Sequence, residues 1–461
     1  MRNRIQNFIS LSPFFYLLGM IFLSRQIFSG DPLYGSHQFA LVSAGFLLVL
    51  QRIRREHSVR AFLLAFQKNL TAVLPAMEIL FFVGMLIGAW AVAGVLGSMI
   101  RIGVAILHPS FFLPGVCLAA GFASVISGSS WTTAGTLGVA LMGIGKILGI
   151  PEGICAGAVV SGCYFGDKLS PLSDTTNLAS SLTSVPLQTH IAHMAKTTIP
   201  SYVVSLILFA IWNFSFLDAG GDDSILETSS ILSRLHQLPF SYLDLLPVLF
   251  VFGSSLFGMK ARYSLILGIV SGMALAFWKS VSLFDFSSAL LFGFQAHTGN
   301  ESLNSFLSGG GISAILPTEF LIFAAVWFGG ALEGLGYLNE ILLSIKVWVK
   351  TKWDVLLTTM GTSFFLNLTT ADQYLSLVIP ARAFRHLADV FHLEPKEVSR
   401  ALEDSGTISS PLVPWNSCGA FMATSLNVAT LVYLPYVWFN ILHIFLSIAL
   451  VIRKRKKEIS V

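Results

Sequence analysis

Apolar stretches long enough to cross a bilayer recur along the whole of this 461-residue chain, and charged residues make up only 11% of it. A membrane helix needs about 20 apolar residues, whereas a soluble domain carries about 25% charged ones. A chain of this kind folds in lipid, as many helical spans and not as a globule with one anchor. Windows that meet or approach the required length lie at 11–29, 35–51, 75–100, 111–150, 190–214, 241–259, 262–279, 316–342, 354–381 and 406–452. Two of them, 111–150 and 406–452, have room for two elements. The expected fold is an all-α polytopic membrane protein of about 11–13 membrane elements, some of them not full crossings.

The charges give the orientation. Arg2 and Arg4, then Arg52, Arg54, Arg55 and Arg60, then Lys260 and Arg262, and finally Arg453, Lys454, Arg455, Lys456 and Lys457 all sit at window edges. Basic edges stay inside, so both termini are expected in the cytoplasm of a protein of the cytoplasmic membrane. The acidic run Asp218, Asp222, Asp223 and Glu227 would lie outside. A net charge of +4 distributed this way is no nucleic-acid footprint. The first twenty residues have no small-residue cleavage site and are read as the first helix. Cys117, Cys155, Cys163 and Cys418 show no CxxC spacing, which argues against metal or disulfide use. His190 and His193 read as an interfacial polar pair, and the GxxxG spacings Gly84 to Gly88 and Gly153 to Gly157 as close helix packing.

Two polar tracts interrupt the apolar sequence: GSSWTTAGTLGVALMGIG (128–145) and SGCYFGDKLSPLSDTTNLASSL (161–182). Asp167, Lys168 and Asp174 together would oppose insertion by roughly 7 to 10 kcal/mol if they faced lipid. They are expected to face protein or a water-filled cavity; the bland alternative is an extramembrane loop. The tracts recur. GDKLSPL (166–172) is matched by GTISSPL (406–412), WTTAGTL (131–137) by LTTADQYL (368–375), and GAWAVAGVL (88–96) by GALEGLGYL (330–338). Connections after the first-half segments hold only Arg101 and Lys146, while the second-half ones hold Lys346, Lys350, Lys352, Arg382, Arg385, Lys396 and Arg400. Opposite charge placement implies two inverted repeats with broken helices or re-entrant hairpins, the sequence sign of a secondary transporter with a site between its halves. The expected organisation is 1–60 N-terminal helices, 61–215 first repeat, 216–300 external acidic loop and linking helices, 301–435 second repeat, and 436–461 the last helix end with a basic tail.

The proline of Ser170-Pro171 breaks a helix and frees carbonyl oxygens, and Ser410-Pro411 with Pro414 would do so from the other half. The candidate ion- or substrate-binding residues of the first half are Ser129, Ser130, Thr132, Thr133, Asp167, Ser170, Asp174, Thr175, Thr176 and Asn177; of these, Asp167, Ser170, Asp174 and Asn177 share one face if the segment is helical. Those of the second half are Asn367, Thr369, Thr370, Asp372, Ser405, Thr407, Ser410 and Asn416. Oxygen donors suit a hard cation such as sodium, with Asp174 and Asp167 as its carboxylates. A carboxylate taken out of water also competes for protons. Lys168 is expected to neutralise Asp167. Glu403 and Asp404 follow Arg400, which leaves a structural ion pair and a transport role both open. One of Glu78, Glu319 and Glu333 is expected to matter as well.

At these residues the sequence resembles the NhaC-type sodium/proton antiporter family, within the wider ion-transporter group of inverted-repeat carriers. The motifs are the two tracts above, HIAHMAKTTIPS (190–201) and SRALEDSGTISSPLVPWNSCGA (399–420), and the similarity spans about residues 70–450. The resemblance implies exchange of sodium for protons, with no cofactor and with sodium and protons as the transported species. It also implies an alternative, a sodium- and proton-coupled antiporter of small organic acids such as malate and lactate. The lipid bilayer and a second copy of the chain are the candidate macroscopic partners. Neither HExxH nor GxSxG nor a nucleotide-binding loop occurs, which argues against an enzyme and against direct ATP drive.

Overall fold

The computed structural model describes residues 15–24, 35–52, 56–219, 240–299, 303–304, 307–347 and 349–459. Arg2, Arg4, Arg54, Arg55, Asp222, Asp223 and Glu227, on which part of the orientation argument rests, lie outside them. Helices follow one another throughout: α1 (Phe15–Ser24), α2 (His37–Arg52), α3 (Glu56–Val92), α4 (Val95–Ile106) and α5 (Phe112–Ser127). After a break come α6 (Ser130–Thr133), a π turn (Ala134–Gly138) and α7 (Val139–Ile147), then α8 (Glu152–Leu169), α9 (Asp174–Thr183) and α10 (Leu187–Ala219). Three linking helices, α11 (Leu246–Leu256), α12 (Ala261–Trp278) and α13 (Leu283–Phe292), precede α14 (Ile312–Gly334), α15 (Tyr337–Lys346), α16 (Lys352–Thr369) and α17 (Gln373–Val390). The chain ends with α18 (Pro395–Leu402), a π turn (Glu403–Thr407), α19 (Ser417–Leu426), α20 (Thr430–Tyr433) and α21 (Trp438–Ile459).

Five described helices are long and apolar enough to cross a membrane: Val59–Val92, Pro109–Ser127, Leu187–Ser215, Ala261–Trp278 and Ile312–Gly334. Ser417–Leu426 and Thr430–Tyr436 form a sixth candidate, bent by 87°. The protein is a multi-pass, all-α membrane protein. Three apolar windows depart from their reading as single stretches: 75–100, 316–342 and 354–381 each hold two helices, with Gly94 (φ 80°), Gly336 (φ 82°) and Ala371 (φ 57°) in the left-handed region between them.

The backbone repeats itself at a spacing of 243 residues. Gly128 (φ 66°) and Ala371 (φ 57°) reverse the chain in the left-handed region, and the next residues, Ser129 and Asp372, are helix N-caps. Ser170 and Val413 are the extended residues at which the second broken helix of each half stops. Ser173 and Asn416 cap the ten-residue helices α9 and α19, and Ser184 and Asn427 end those helices in left-handed conformation. This register corrects the motif matching: Ser170-Pro171 corresponds to Val413-Pro414, not to Ser410-Pro411, and the two TTA strings do not superpose. The identical letters lie three and six residues away from the equivalent backbone positions.

Glycine permits the tight α5–α8 contact on which the site stands. A Cβ at Gly162 would lie 2.3 Å from the Cys117 carbonyl oxygen, and one at Gly166 would lie 2.2 Å from the Gly121 carbonyl oxygen. Backbone cannot yield as a side-chain tip can. Across the same seam Ser124 donates to the Cys163 carbonyl (2.6 Å), and Tyr202 of α10 donates to the Cys117 carbonyl of α5 (2.9 Å). Gly166→Ala is therefore expected to destabilise the protein by about 1–3 kcal/mol through overpacking, read as a lower melting temperature in detergent. The GxxxG glycines also serve packing: Gly88 faces the Ala289 carbonyl, and Gly153 and Gly157 face the backbone of Val432 and Tyr436.

Candidate functional site

Four helix starts converge on one cavity of about 80 Å³, well above the roughly 10–15 Å³ that a water needs. Each start is capped by a polar side chain, which is why the sequence can break its helices here. Ser129 Oγ accepts from the Thr132 amide (3.1 Å) at α6, and Ser173 Oγ from the Thr176 amide (3.4 Å) at α9. Asp372 Oδ1 accepts from the Leu375 amide (2.7 Å) at α17, and Asn416 Oδ1 from the Cys418 amide (3.0 Å) at α19. The residues just past these caps line the cavity: Ser130 and Trp131, Asp174 and Thr175, Gln373 and Tyr374, and Ser417. Pro75, Ala76 and Ile79 of α3 form its apolar wall.

Asp167, in the last turn of α8, is the buried carboxylate of this cavity, and Ser130 Oγ donates to its Oδ2 at 2.7 Å. The two halves of the chain are joined over it. Trp131 stacks on Phe421 with ring centroids 4.2 Å apart, and within the second half Cys418 Sγ donates to Gln373 Oε1 at 2.8 Å. No Lys, Arg or His is among the lining residues. The next side chain along α8 turns the other way. Lys168 is 0% exposed and its Nζ lies 2.7 Å from Asp404 Oδ1. Asp404 also receives His443 Nε2 (2.9 Å), Ser447 Oγ (2.5 Å) and, at longer range, Arg400 Nε (3.6 Å). A basic group next in sequence to the cavity carboxylate is thus held out of the cavity by an acid from the other half.

Residues 162–454 match the Na+/H+ antiporter family. An arginine/ornithine antiporter, ArcD, of Halobacterium salinarum is 39% identical over 80% of this chain and 76% of its own length. A malate-2H(+)/Na(+)-lactate antiporter of Bacillus subtilis is 35% identical over 89% of this chain and 88% of its own. The Na(+)/H(+) antiporter NhaC of Alkalihalophilus pseudofirmus is 35% identical over 80% of each. The chain belongs to the Na+/H+ antiporter family.

Within this family member the structure sorts the residues singled out from sequence. Ser129, Ser130, Asp167, Asp174 and Thr175 all line the cavity. Asp174, expected to face protein or a water-filled cavity, lines the cavity from an exposed position as the first residue of α9. The shared face of Asp167, Ser170, Asp174 and Asn177 does not form, because the chain is extended at Ser170. Ser170 instead donates to the Val125 carbonyl (2.8 Å), and Asn177 to the carbonyls of Pro171 (2.9 Å) and Ser173 (2.8 Å). Thr133 pairs with Ser127 (3.0 Å) and Thr176 reaches the Lys168 carbonyl (3.4 Å). Thr132 Oγ1 is buried with no hydrogen-bond partner among the described residues.

In the second half most candidate oxygens are already used. Thr369 and Thr370 donate back to the carbonyls of Phe365 (3.0 Å) and Leu366 (2.9 Å). Ser405 donates to the Met360 carbonyl (2.6 Å) and Ser410 to the Thr407 carbonyl (2.7 Å). Asn367 bridges the Gly406 carbonyl (2.6 Å) and Ser409 (2.9 Å), and Asn416 donates to Asn367 Oδ1 (3.1 Å). Asp372 is a cap, and Thr407 is buried in the π turn with Glu403. None of these residues lines the cavity. The expected Asp167–Lys168 neutralisation is replaced by Lys168–Asp404. Among the three glutamates, Glu333 pairs with Lys68 (2.7 Å) and Glu78 faces Arg262 (3.7 Å), while Glu319 is buried with neither carboxylate oxygen bonded. His190 Nδ1 lies 2.8 Å from Ser399 Oγ of α18.

Sequence reasoning missed Gln373, Tyr374 and Ser417, each one or two residues beyond a cap, and also His443 and Ser447. The last two carried a signal. Asn440, His443 and Ser447 stand three and four apart in the otherwise apolar stretch 438–452 of α21, the spacing of a single helix face.

Proposed function

We propose that this protein exchanges sodium for protons across the cytoplasmic membrane, binding the cation at Asp167 with Ser130, and with Asp174 at the mouth. The observation that carries this reading is a cavity with a buried carboxylate, hydroxyl and amide oxygens and no basic lining residue, the donor set that a hard cation takes. The backbone repeat, together with basic connections placed oppositely in the two halves, supports inverted repeats that rock about this site near the midplane. Both termini are then cytoplasmic.

A second reading is an antiporter of organic ions, in keeping with the relatives named for arginine and ornithine and for malate and lactate. The observation in its favour is the four helix N-termini, which suit a carboxylate group. Against it, Lys168 is committed to Asp404, so the anion would meet Asp167 with no basic side chain lining the cavity.

Sodium binding is tested on purified protein by melting in NaCl against choline chloride at equal ionic strength. A ligand at a hundred times its Kd stabilises the folded state by about 2.7 kcal/mol. The expected result is a melting temperature that rises with sodium and not with choline; equal melting in both salts contradicts the site. Asp174, being exposed, acts through water-like dielectric, where a charge about 4 Å away contributes about 1 kcal/mol. Asp174→Asn is expected to raise the sodium concentration for half-maximal exchange about fivefold with transport retained.

A further inference from the structure

Outside the cavity lining, and joined to α8 through the Lys168–Asp404 pair, is a second buried carboxylate that the sodium site does not use. Glu403 opens the π turn Glu403–Thr407, is 0% exposed, and among the described residues meets the Thr407 hydroxyl of the same turn but no charged donor at hydrogen-bond distance. Its neighbour Asp404, by contrast, is surrounded by donors. π turns inside helices recur at functional positions, and an isolated buried charge costs several kcal/mol. The ionisable groups within electrostatic reach of Glu403 are Lys168 and Asp167 on α8 and Asp404 beside it. Arg400 and His443 reach the same cluster through Asp404.

The charges of this cluster leave one position to be balanced. Lys168 and Arg400 bring two positive charges and Asp404 brings one negative charge. His443 serves as a neutral donor, its Nε2 on Asp404 and its Nδ1 buried without a partner. One further negative charge completes the balance, and two carboxylates can supply it: Asp167 or Glu403.

We infer that Glu403 is the proton-carrying group of the exchange, coupled to sodium at Asp167 through this shared charge balance. With sodium absent, the Asp167 carboxylate balances the cluster and Glu403 carries a proton. Sodium at Asp167 cancels that charge. The Glu403 O–H bond then breaks, its electron pair stays on the carboxylate, and the proton leaves to the water of the open side. Sodium release reverses the step, so that one sodium is exchanged for one proton at two separate carboxylates. The inference rests on the sodium/proton reading above and adds where the proton is held.

The test uses the full chain in proteoliposomes and two fluxes, sodium-driven proton movement and ²²Na⁺/Na⁺ counterflow, for wild type and Glu403→Gln. The amide mimics the protonated state and cannot supply the balancing charge, so the variant is expected to lose proton movement and to keep counterflow only at raised sodium concentration. Glu403→Asp, which keeps the acid, is expected to regain proton movement. Wild-type proton exchange by Glu403→Gln overturns the inference. So does loss of both fluxes at raised sodium concentration in a variant that melts like the wild type, which would make Glu403 part of the cation site. A wild type that moves sodium only with an organic ion, and no protons, contradicts the antiport reading itself and is told apart by that control.

Discussion

Asp167→Asn is expected to stop sodium-driven proton movement while the protein remains folded. The asparagine Oδ1 can still accept from Ser130, whose bond to Asp167 is 2.7 Å long, so the broken helix keeps its tie. What is lost is the charge. At an effective dielectric of about 20, a unit charge about 4 Å from the cation contributes about 4 kcal/mol, roughly a thousandfold in affinity. The variant should melt at the wild-type temperature without sodium and show no further rise with it. Retained sodium stabilisation and exchange would remove Asp167 from the site.

Breaking the Lys168–Asp404 pair has the largest expected effect on stability. Both side chains are fully buried, 0% and 1% exposed, and removing one partner strands the other. Such a loss costs about 3–5 kcal/mol, and Asp404→Leu also leaves His443 and Ser447 without their acceptor. The double variant Lys168→Met, Asp404→Leu is expected to recover part of the loss, since Arg400 still faces the vacated position. Melting temperatures of the four proteins give the coupling directly. A single variant as stable as wild type would show that the pair does not hold the halves together.

What could be read from the sequence was set by local chemistry. Hydroxyl and carboxylate tracts announced the cavity-lining Ser129, Ser130, Asp167, Asp174 and Thr175, because polar residues in lipid need a buried or wet place. Pro171 announced its helix break because proline's effect is confined to its own turn. The second half was less legible. Thr369, Thr370 and Ser410 look like ligands in composition, yet each satisfies its hydroxyl on a carbonyl three or four residues back, a use that leaves no mark in the sequence. The repeat was visible but out of register, because the identical Ser-Pro-Leu strings drew the match away from Val413-Pro414. The partner of Lys168 lies 236 residues away, and nothing in local spacing points across that distance. Asp167, the adjacent acid, was the natural guess and the wrong one.

The central claim is that Asp167 and the oxygens around it carry sodium against protons without an organic ion. The most direct measurement is internal pH in proteoliposomes of the purified protein after a sodium pulse, with arginine, ornithine, malate and lactate all absent. The expected result is proton movement that follows the sodium gradient and vanishes in Asp167→Asn. A pH that stays constant until one of those organic ions is added would contradict it.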